Sequence, residues 1–202
     1  MYPEPRQKFI QLCLKRILDC VISLILIVIA LPLLVTCIIA IKLESRGSAL
    51  FLQHRVGLFG REFAMLKLRT MYAGSQQPRP TDGHLVKLRS DPRITRVGRL
   101  LRITSLDELP QLFNVLAGQM SLVGPRPLVP HMLAPYRELA LVRSRVRPGI
   151  TGLWQIRDRA HATHVSFMAE HDLEYVKRFS LWLDLMILLK TPWCVIFAKG
   201  AH

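Results

Sequence analysis

Two adjacent acids, Asp107 and Glu108, stand in the run Arg102-Ile-Thr-Ser-Leu-Asp107-Glu108-Leu-Pro-Gln111-Leu-Phe-Asn114, with arginines on both sides of them in the chain. A carboxylate in that setting has two chemical uses. It can attack phosphorus and carry the transferred group as an acyl phosphate, or it can hold Mg²⁺, a hard cation shared between one or two carboxylates and substrate phosphates. Phosphoryl transfer also needs cations around oxygens whose charge shifts in the transition state. Arg99, Arg102, Arg126 and Arg147 supply them nearby in sequence. A structural reading stands beside the chemical one. Ser105 and Glu108 spell a capping box, and Pro110 and Gly118 suit the start and the end of a short helix. Both readings can hold, since a helix entrance can also present a carboxylate to a ligand.

Further along, Gly124-Pro-Arg126-Pro127 sets one arginine between two prolines, which restrict the backbone on either side of it. A rigid basic loop suits a diphosphate, although a turn with its arginine in water explains an isolated motif as well. Between Ala49 and Met71 the pattern is strand-like, with Gly57 and Gly60 dividing two extended runs. Period-two alternation puts Gln53 and Arg55 on one face of the first run, and Lys67, Arg69 and Met71 on one face of the second. Residues Ala73 to Pro92 read as a surface loop. Arg93, Arg96, Arg99 and Arg102 recur at every third position, which makes a basic stripe if the segment is helical. His161, His164 and His171 with Asp172 lack the spacing of a dependable metal site, and there is no G-x-S-x-G, P-loop or G-x-G-x-x-G pattern.

The elements that must position these groups begin with a membrane segment. Cys20 to Ile41 is 22 residues without a charge, roughly 33 Å as a helix and enough for a hydrocarbon core. It is too long for the apolar region of a cleaved signal and runs into Lys42. Positive residues flank it on both sides: Arg6, Lys8, Lys15 and Arg16 before, Lys42, Arg46, Arg55 and Arg61 after. The usual charge asymmetry therefore does not orient it. Pro32 lacks the amide hydrogen of an intrahelical bond, so a kink or break is expected there. From the residues alone, a spanning helix with a tolerated proline is the simpler path. Near the C-terminus, Ser180 is placed to cap a helix carrying Trp182, Leu185, Leu188 and Leu189 and ending near Pro192. Its charges at Asp184 and Lys190 suit the membrane interface better than the interior. The net charge of +14 with half the residues hydrophobic points to an anionic membrane, an anionic substrate or both. Nucleic acid would account for the charge but not for the apolar N-terminus. Four cysteines without C-x-x-C spacing read as reduced packing residues.

The strings KLRTM, TSLDELPQLFNVLAG, MSLVGPRPL and RPGITGLWQI, with KRILD near the N-terminus and SLWLDLMILLKTP near the C-terminus, resemble the signature blocks of the bacterial sugar transferase family. These are the monotopic polyprenol-phosphate phosphoglycosyl transferases, here at the length of the minimal catalytic form. The resemblance implies an enzyme of the cytoplasmic face of the bacterial inner membrane that moves a sugar 1-phosphate from a UDP-sugar to undecaprenyl phosphate and releases UMP. It makes Asp107 the nucleophile and the Mg²⁺ ligand, with Glu108 as its partner. Lys67, Arg102, Arg126 and Arg147 would contact the diphosphate and nucleotide, together with Arg69 and Arg99 from the basic runs. It also implies a re-entrant membrane helix broken at Pro32. Two positions depart from the family pattern: Leu31, where Ser often precedes the proline, and Gln119, where Asp commonly follows the glycine.

The expected fold class is α+β, a mostly helical membrane-associated domain with a broken re-entrant N-terminal helix and a small β-hairpin. Residues 1–48 form the membrane element, and residues 49–202 the catalytic domain with an interfacial C-terminal helix. The expected partners are the UDP-sugar, undecaprenyl phosphate and inner-membrane lipids, with no nucleic acid and a homo-oligomer left open. Rival readings are a membrane-tethered basic binding or scaffold module, which would bind without turnover, and a phosphotransferase of soluble substrates, which would be indifferent to the polyprenyl chain. The sugar and the pathway are not legible.

Overall fold

A computed structural model describes residues 9–75, 91–157 and 165–197. Most of the loop read after Ala73, and His161 and His164, lie outside the described residues. Helix α1 (Phe9–Glu44) takes in the whole apolar segment, with Pro32 inside it. No break interrupts the helix at that proline, contrary to expectation. The carbonyl of Pro32 accepts a hydrogen bond from Thr36 Oγ1 at 2.9 Å, and both the proline and a back-bonding threonine favour bending.

Both ends of α1 are fastened to the domain that follows. Near its start, Arg16 donates to the carbonyls of Val115 and Leu116 (2.6 and 2.8 Å), and Lys15 meets Asp184 at 2.7 Å. The buried carboxylate of Asp19 accepts the Leu122 N–H at 3.1 Å. At its far end Glu44 accepts the N–H groups of Arg96 and Val97 (2.7 and 3.1 Å), an acid on the positive end of helix α2 (Arg96–Thr104). Between these ties the apolar side chains stand outward, Val28 65 % and Ile29 70 % exposed. Among the described residues α1 is the one helix long and apolar enough to cross a membrane. Lys15, Arg16 and Arg55, read from sequence as topological flanks, are bonded inside the domain instead.

The expected hairpin is present as antiparallel strands β1 (Leu50–Val56) and β2 (Glu62–Leu68). Its register pairs Phe51 with Lys67, Gln53 with Met65 and Arg55 with Phe63. Gln53, Arg55 and Lys67 therefore share one face, as period-two alternation requires. Helix α2 begins at Thr95, whose hydroxyl accepts the Gly98 N–H at 2.9 Å. It lies so close to the end of β2 that a Cβ on Gly98 would fall 2.1 Å from the Thr70 carbonyl oxygen. Helix α3 (Gln111–Leu116) is joined to β2 through the buried side chain of Asn114. Asn114 accepts the Leu66 N–H at 2.9 Å and donates to the Ala64 carbonyl at 2.8 Å, standing in for a neighbouring strand. It also donates to Gln119 Oε1 at 2.7 Å. The departure from the family pattern at Gln119 thus keeps the acceptor that this contact needs and drops only the charge.

A second sheet, absent from the sequence reading, pairs β3 (Ser121–Val123) with β4 (Gly149–Thr151) in parallel. Three-residue strands show no periodicity to read. Their crossover carries α4 (Pro130–Leu133) and α5 (Arg137–Arg143). Helices α6 (Leu153–Arg157), α7 (Val165–Arg178) and α8 (Leu181–Phe197) follow. Ser180 caps α8 through the Leu183 N–H at 3.2 Å, but the helix continues through Pro192 where an end was expected. The class is the expected α+β, mostly helical with small sheets. The main core joins Phe63 and Met65 of β2, Leu112 and Val115 of α3, and Tyr175 and Ile187 from α7 and α8.

Gly98→Ala should lower the thermal midpoint of the detergent-solubilised protein. Its methyl group meets backbone rather than a yielding side chain, and such overpacking costs about 1–3 kcal/mol. An unchanged midpoint would show that α2 can move off Thr70 freely.

Candidate functional site

Helix α2 ends on Ser105, which adopts the left-handed conformation (φ 57°) and turns the chain into a single 3₁₀ turn, Leu106–Glu108. Ser105 makes no side-chain cap, so the capping box does not form. The Glu108 N–H bonds to the Ser105 carbonyl instead, at 3.2 Å. A non-glycine residue at positive φ is uncommon and mildly strained, and here the strain aims two successive acids into a cavity of about 340 Å³.

Lys67 of β2 reaches both acids, at 2.8 Å from Glu108 Oε1 and 3.9 Å from Asp107 Oδ2. Arg102, on the inner side of α2, is steadied by Thr70 Oγ1 at 2.9 Å. Arg126 of the Pro-Arg-Pro loop lies over the ring of Trp154, 5.4 Å from its centroid, and 4.0 Å from Glu108. All five groups line the same cavity, together with Phe51 and Tyr72. Arg55 closes the arrangement from β1, with Nη1 on the Pro127 carbonyl at 3.0 Å and Nη2 on Gln53 Oε1 at 2.5 Å. Burial and the neighbouring Arg126 lower its pKa below the usual guanidinium range, while Glu108 raises it.

Burial also pushes the Asp107 carboxyl above its ordinary value of 3.8, and Lys67 is the strongest opposing influence. Glu108 adds to the rise, while Arg102 and Arg126 lower it. The cavity therefore holds a partly desolvated carboxyl whose raised pKa is opposed by three cations. That arrangement suits a dianionic or trianionic phosphate ligand. Among the described residues no cluster of three or more His, Cys, Asp or Glu is placed to hold a metal on its own. Asp107 with substrate oxygens fits a hard cation such as Mg²⁺ better than a soft one.

Of the three other basic residues expected at the site, Arg69 lines the cavity while Arg99 and Arg147 do not. Arg69 borders the cavity, but its guanidinium is spent on the Ser45 and Arg46 carbonyls, both at 2.7 Å, so it secures the chain leaving α1. Arg147 donates to the Gly118 carbonyl at 2.9 Å, at the end of α3. Arg99 is exposed on the outer side of α2. A three-residue period turns each successive side chain about 60° short of a full helical circuit, which separates Arg99 from Arg102. Phe51, Tyr72 and Thr70 were missed. The register opposite Lys67 was the available signal for Phe51, and none marks the other two.

The chain matches the bacterial sugar transferase family over residues 10–198. The UDP-glucose:undecaprenyl-phosphate glucose-1-phosphate transferase of Caulobacter vibrioides is 46 % identical over 93 % of this chain and 72 % of its own length. The UDP-N-acetylgalactosamine-undecaprenyl-phosphate N-acetylgalactosaminephosphotransferase of Aeromonas hydrophila is 40 % identical over all of this chain but 47 % of its own length. The exopolysaccharide production protein ExoY of Rhizobium meliloti is 38 % identical over 93 % of this chain and 88 % of its own length.

A carboxyl whose pKa folding raises costs stability while ionised, fully above the folded pKa and not at all below the unfolded value. Asp107→Asn should therefore raise the thermal midpoint at pH 7. The gain should fade as pH falls through the raised folded pKa and be gone below about 4, where the carboxyl is protonated in the folded and unfolded states alike. A lower midpoint at pH 7 would mean that the cations more than offset the desolvation.

Proposed function

The chain belongs to the bacterial sugar transferase family, and from that premise we propose that it moves a sugar 1-phosphate from a UDP-sugar to undecaprenyl phosphate through a covalent intermediate on Asp107. The observation that carries the reading is the part-buried Asp107 carboxylate, ringed by Lys67, Arg102 and Arg126 in one cavity of a domain fastened to a long apolar helix. Asp107 attacks the sugar-bearing phosphorus, the phosphoanhydride bond breaks, and UMP leaves with the bridging oxygen. An oxygen of the lipid phosphate then attacks the same phosphorus and frees the carboxylate, giving the lipid diphosphate sugar. The sugar's own C–O bond is untouched, so its anomeric configuration is kept.

Lys67 favours the ionised form of Asp107 and holds Glu108 in place, while Arg102 and Arg126 face the diphosphate oxygens. Asp107 would hold Mg²⁺, which would supply further neutralisation of charge on the diphosphate. Phe51 and Tyr72 line the cavity wall with aromatic surface suited to stacking a nucleobase. The relatives' names specify glucose and N-acetylgalactosamine, so the sugar does not follow from membership.

The lipid acceptor explains the attachment of the domain to α1. With both ends of α1 tied to one domain and its middle exposed, on this reading the helix enters and leaves the membrane from the cytoplasmic face, the bend this requires being favoured by Pro32 and the Thr36 back-bond. On α8 the exposed stripe of Trp182, Leu185, Leu189 and Trp193 suits the membrane interface.

Incubation with donor alone should add the mass of one sugar phosphate to the intact protein, at Asp107. Asp107→Asn should abolish both adduct and turnover, and Glu108→Gln should slow turnover by 10- to 100-fold or so. Full activity of Asp107→Asn, or nucleoside diphosphate as the product, would remove the basis of the mechanism. For topology, all native cysteines except the exposed Cys13 are replaced and Ser48→Cys is added. Both thiols should resist an impermeant reagent on intact cells and react after permeabilisation. Labelling of Cys13 alone from outside would make α1 a spanning helix.

A further inference from the structure

The placement of Arg126 is governed by its main chain as well as by its side-chain contacts. Pro125 and Pro127 have no N–H, so Arg126 carries the single main-chain donor of the tripeptide. That donor faces the Asp172 carboxylate and pulls its pKa down. The Arg126 carbonyl accepts from Arg143 Nη2, the same nitrogen that is ion-paired with Asp172 at 2.9 Å. The Pro125 carbonyl accepts the Gly149 N–H at 2.9 Å, and Arg55 takes the Pro127 carbonyl. The three carbonyls of the loop are thus all bonded within the protein.

Asp172 on α7 and Arg143 on α5 are 2 % and 6 % exposed on their side chains, and neither lines the cavity. Burial pushes the Asp172 carboxyl up to about 6 against the pull of Arg143, so the pair does not fully offset its own desolvation. An apolar pair of similar volume is often as stable as a buried ion pair or more so. What an apolar pair could not do is bond the Arg126 carbonyl and set a carboxylate against its lone N–H.

We propose that the buried Asp172–Arg143 pair is a positioning device for Arg126, bonding its backbone carbonyl and facing its lone N–H so that the guanidinium is held over Trp154 and beside Glu108 before any diphosphate enters. The pair acts on the reaction only through Arg126, and only its kinetic consequence rests on the transferase reading. Holding the arginine in advance removes an ordering cost from ligand binding. Loosening the pair should therefore raise the donor KM more than it lowers kcat.

Trp154 reports the geometry directly. The chain has 3 tryptophans, and replacing the exposed Trp182 and Trp193 by Phe leaves Trp154 alone under Arg126. In that background Arg126→Ala sets the reference change in emission. Asp172→Ala and Arg143→Met should change emission in the same direction, and Asp172→Asn, which keeps an acceptor for the N–H, should change it less. The Ala variant should raise the KM for UDP-sugar roughly tenfold, the scale of one weakened charge-assisted contact. Adding Asp172→Asn to Arg126→Ala should leave emission where Arg126→Ala put it. Should Asp172→Ala fail to fold, Asp172→Asn and Arg143→Met carry the test. Unchanged emission in both of these, against a clear change in Arg126→Ala, would overturn the proposal, as would equal losses of kcat/KM for Asp172→Asn with and without Arg126. Absence of turnover in the parent protein would count against the transferase reading alone, because emission still decides the geometry.

Discussion

A carboxylate taken out of water has to be faced by cations held within a few ångströms, and Asp107 is such a carboxylate. At 4 Å and an effective dielectric near 20, a unit charge pair is worth about 4 kcal/mol, comparable with the cost of partial desolvation. Lys67 stands at 3.9 Å, so its position is an energetic requirement of the acid pair. The requirement passes outward from there. Lys67 depends on the register of β1 with β2, and β2 depends on Asn114, which bonds its backbone from α3. Arg102 depends on the close approach of α2 to Thr70 that Gly98 permits.

The membrane segment is tied into the same system. Lys15 and Asp19 of α1 meet Asp184 of α8 and the backbone of β3 in a buried polar cluster, where the Tyr175 hydroxyl donates to Asp184 at 2.7 Å. Burial raises the Asp184 carboxyl, and Lys15 is the main opposing influence. Removing one partner from such a cluster leaves a buried charge uncompensated. The docking of α1 is therefore directional: this helix face and no other carries Lys15, Arg16 and Asp19 at spacings that meet these partners. The far end is secured by different means, with Glu44 on the start of α2 and Arg69 on the carbonyls that follow α1. The helix beside the cavity and the long apolar helix share a residue-to-backbone contact, so the placement of the cavity is coupled to α1.

Local chemistry made some features readable in the chain itself. The apolar run of α1, the glycine-punctuated alternation of the hairpin and the serine at the start of α8 depend on neighbours within a few residues, and all three are found as read. Local rules failed where the neighbours are distant. The Ser105–Glu108 capping box does not form because Ser105 is drawn into the left-handed region as the chain turns out of α2. Pro192 does not end α8.

The sequence by itself determined the membrane segment, the acid pair, the rigid Pro-Arg-Pro turn and the surplus of positive charge, because each is a property of composition or of spacing within one segment. Which cations serve the acids was decided only by the tertiary structure. Lys67 lies 40 positions before Asp107 in the numbering and Arg126 19 after it, yet both face it, while Arg69 and Arg147 are turned to backbone carbonyls and Arg99 to the outside. An arginine's charge is written in its type. Its partner is whichever acceptor the packing of separate helices and strands leaves within reach, and that depends on contacts among segments far apart in the chain.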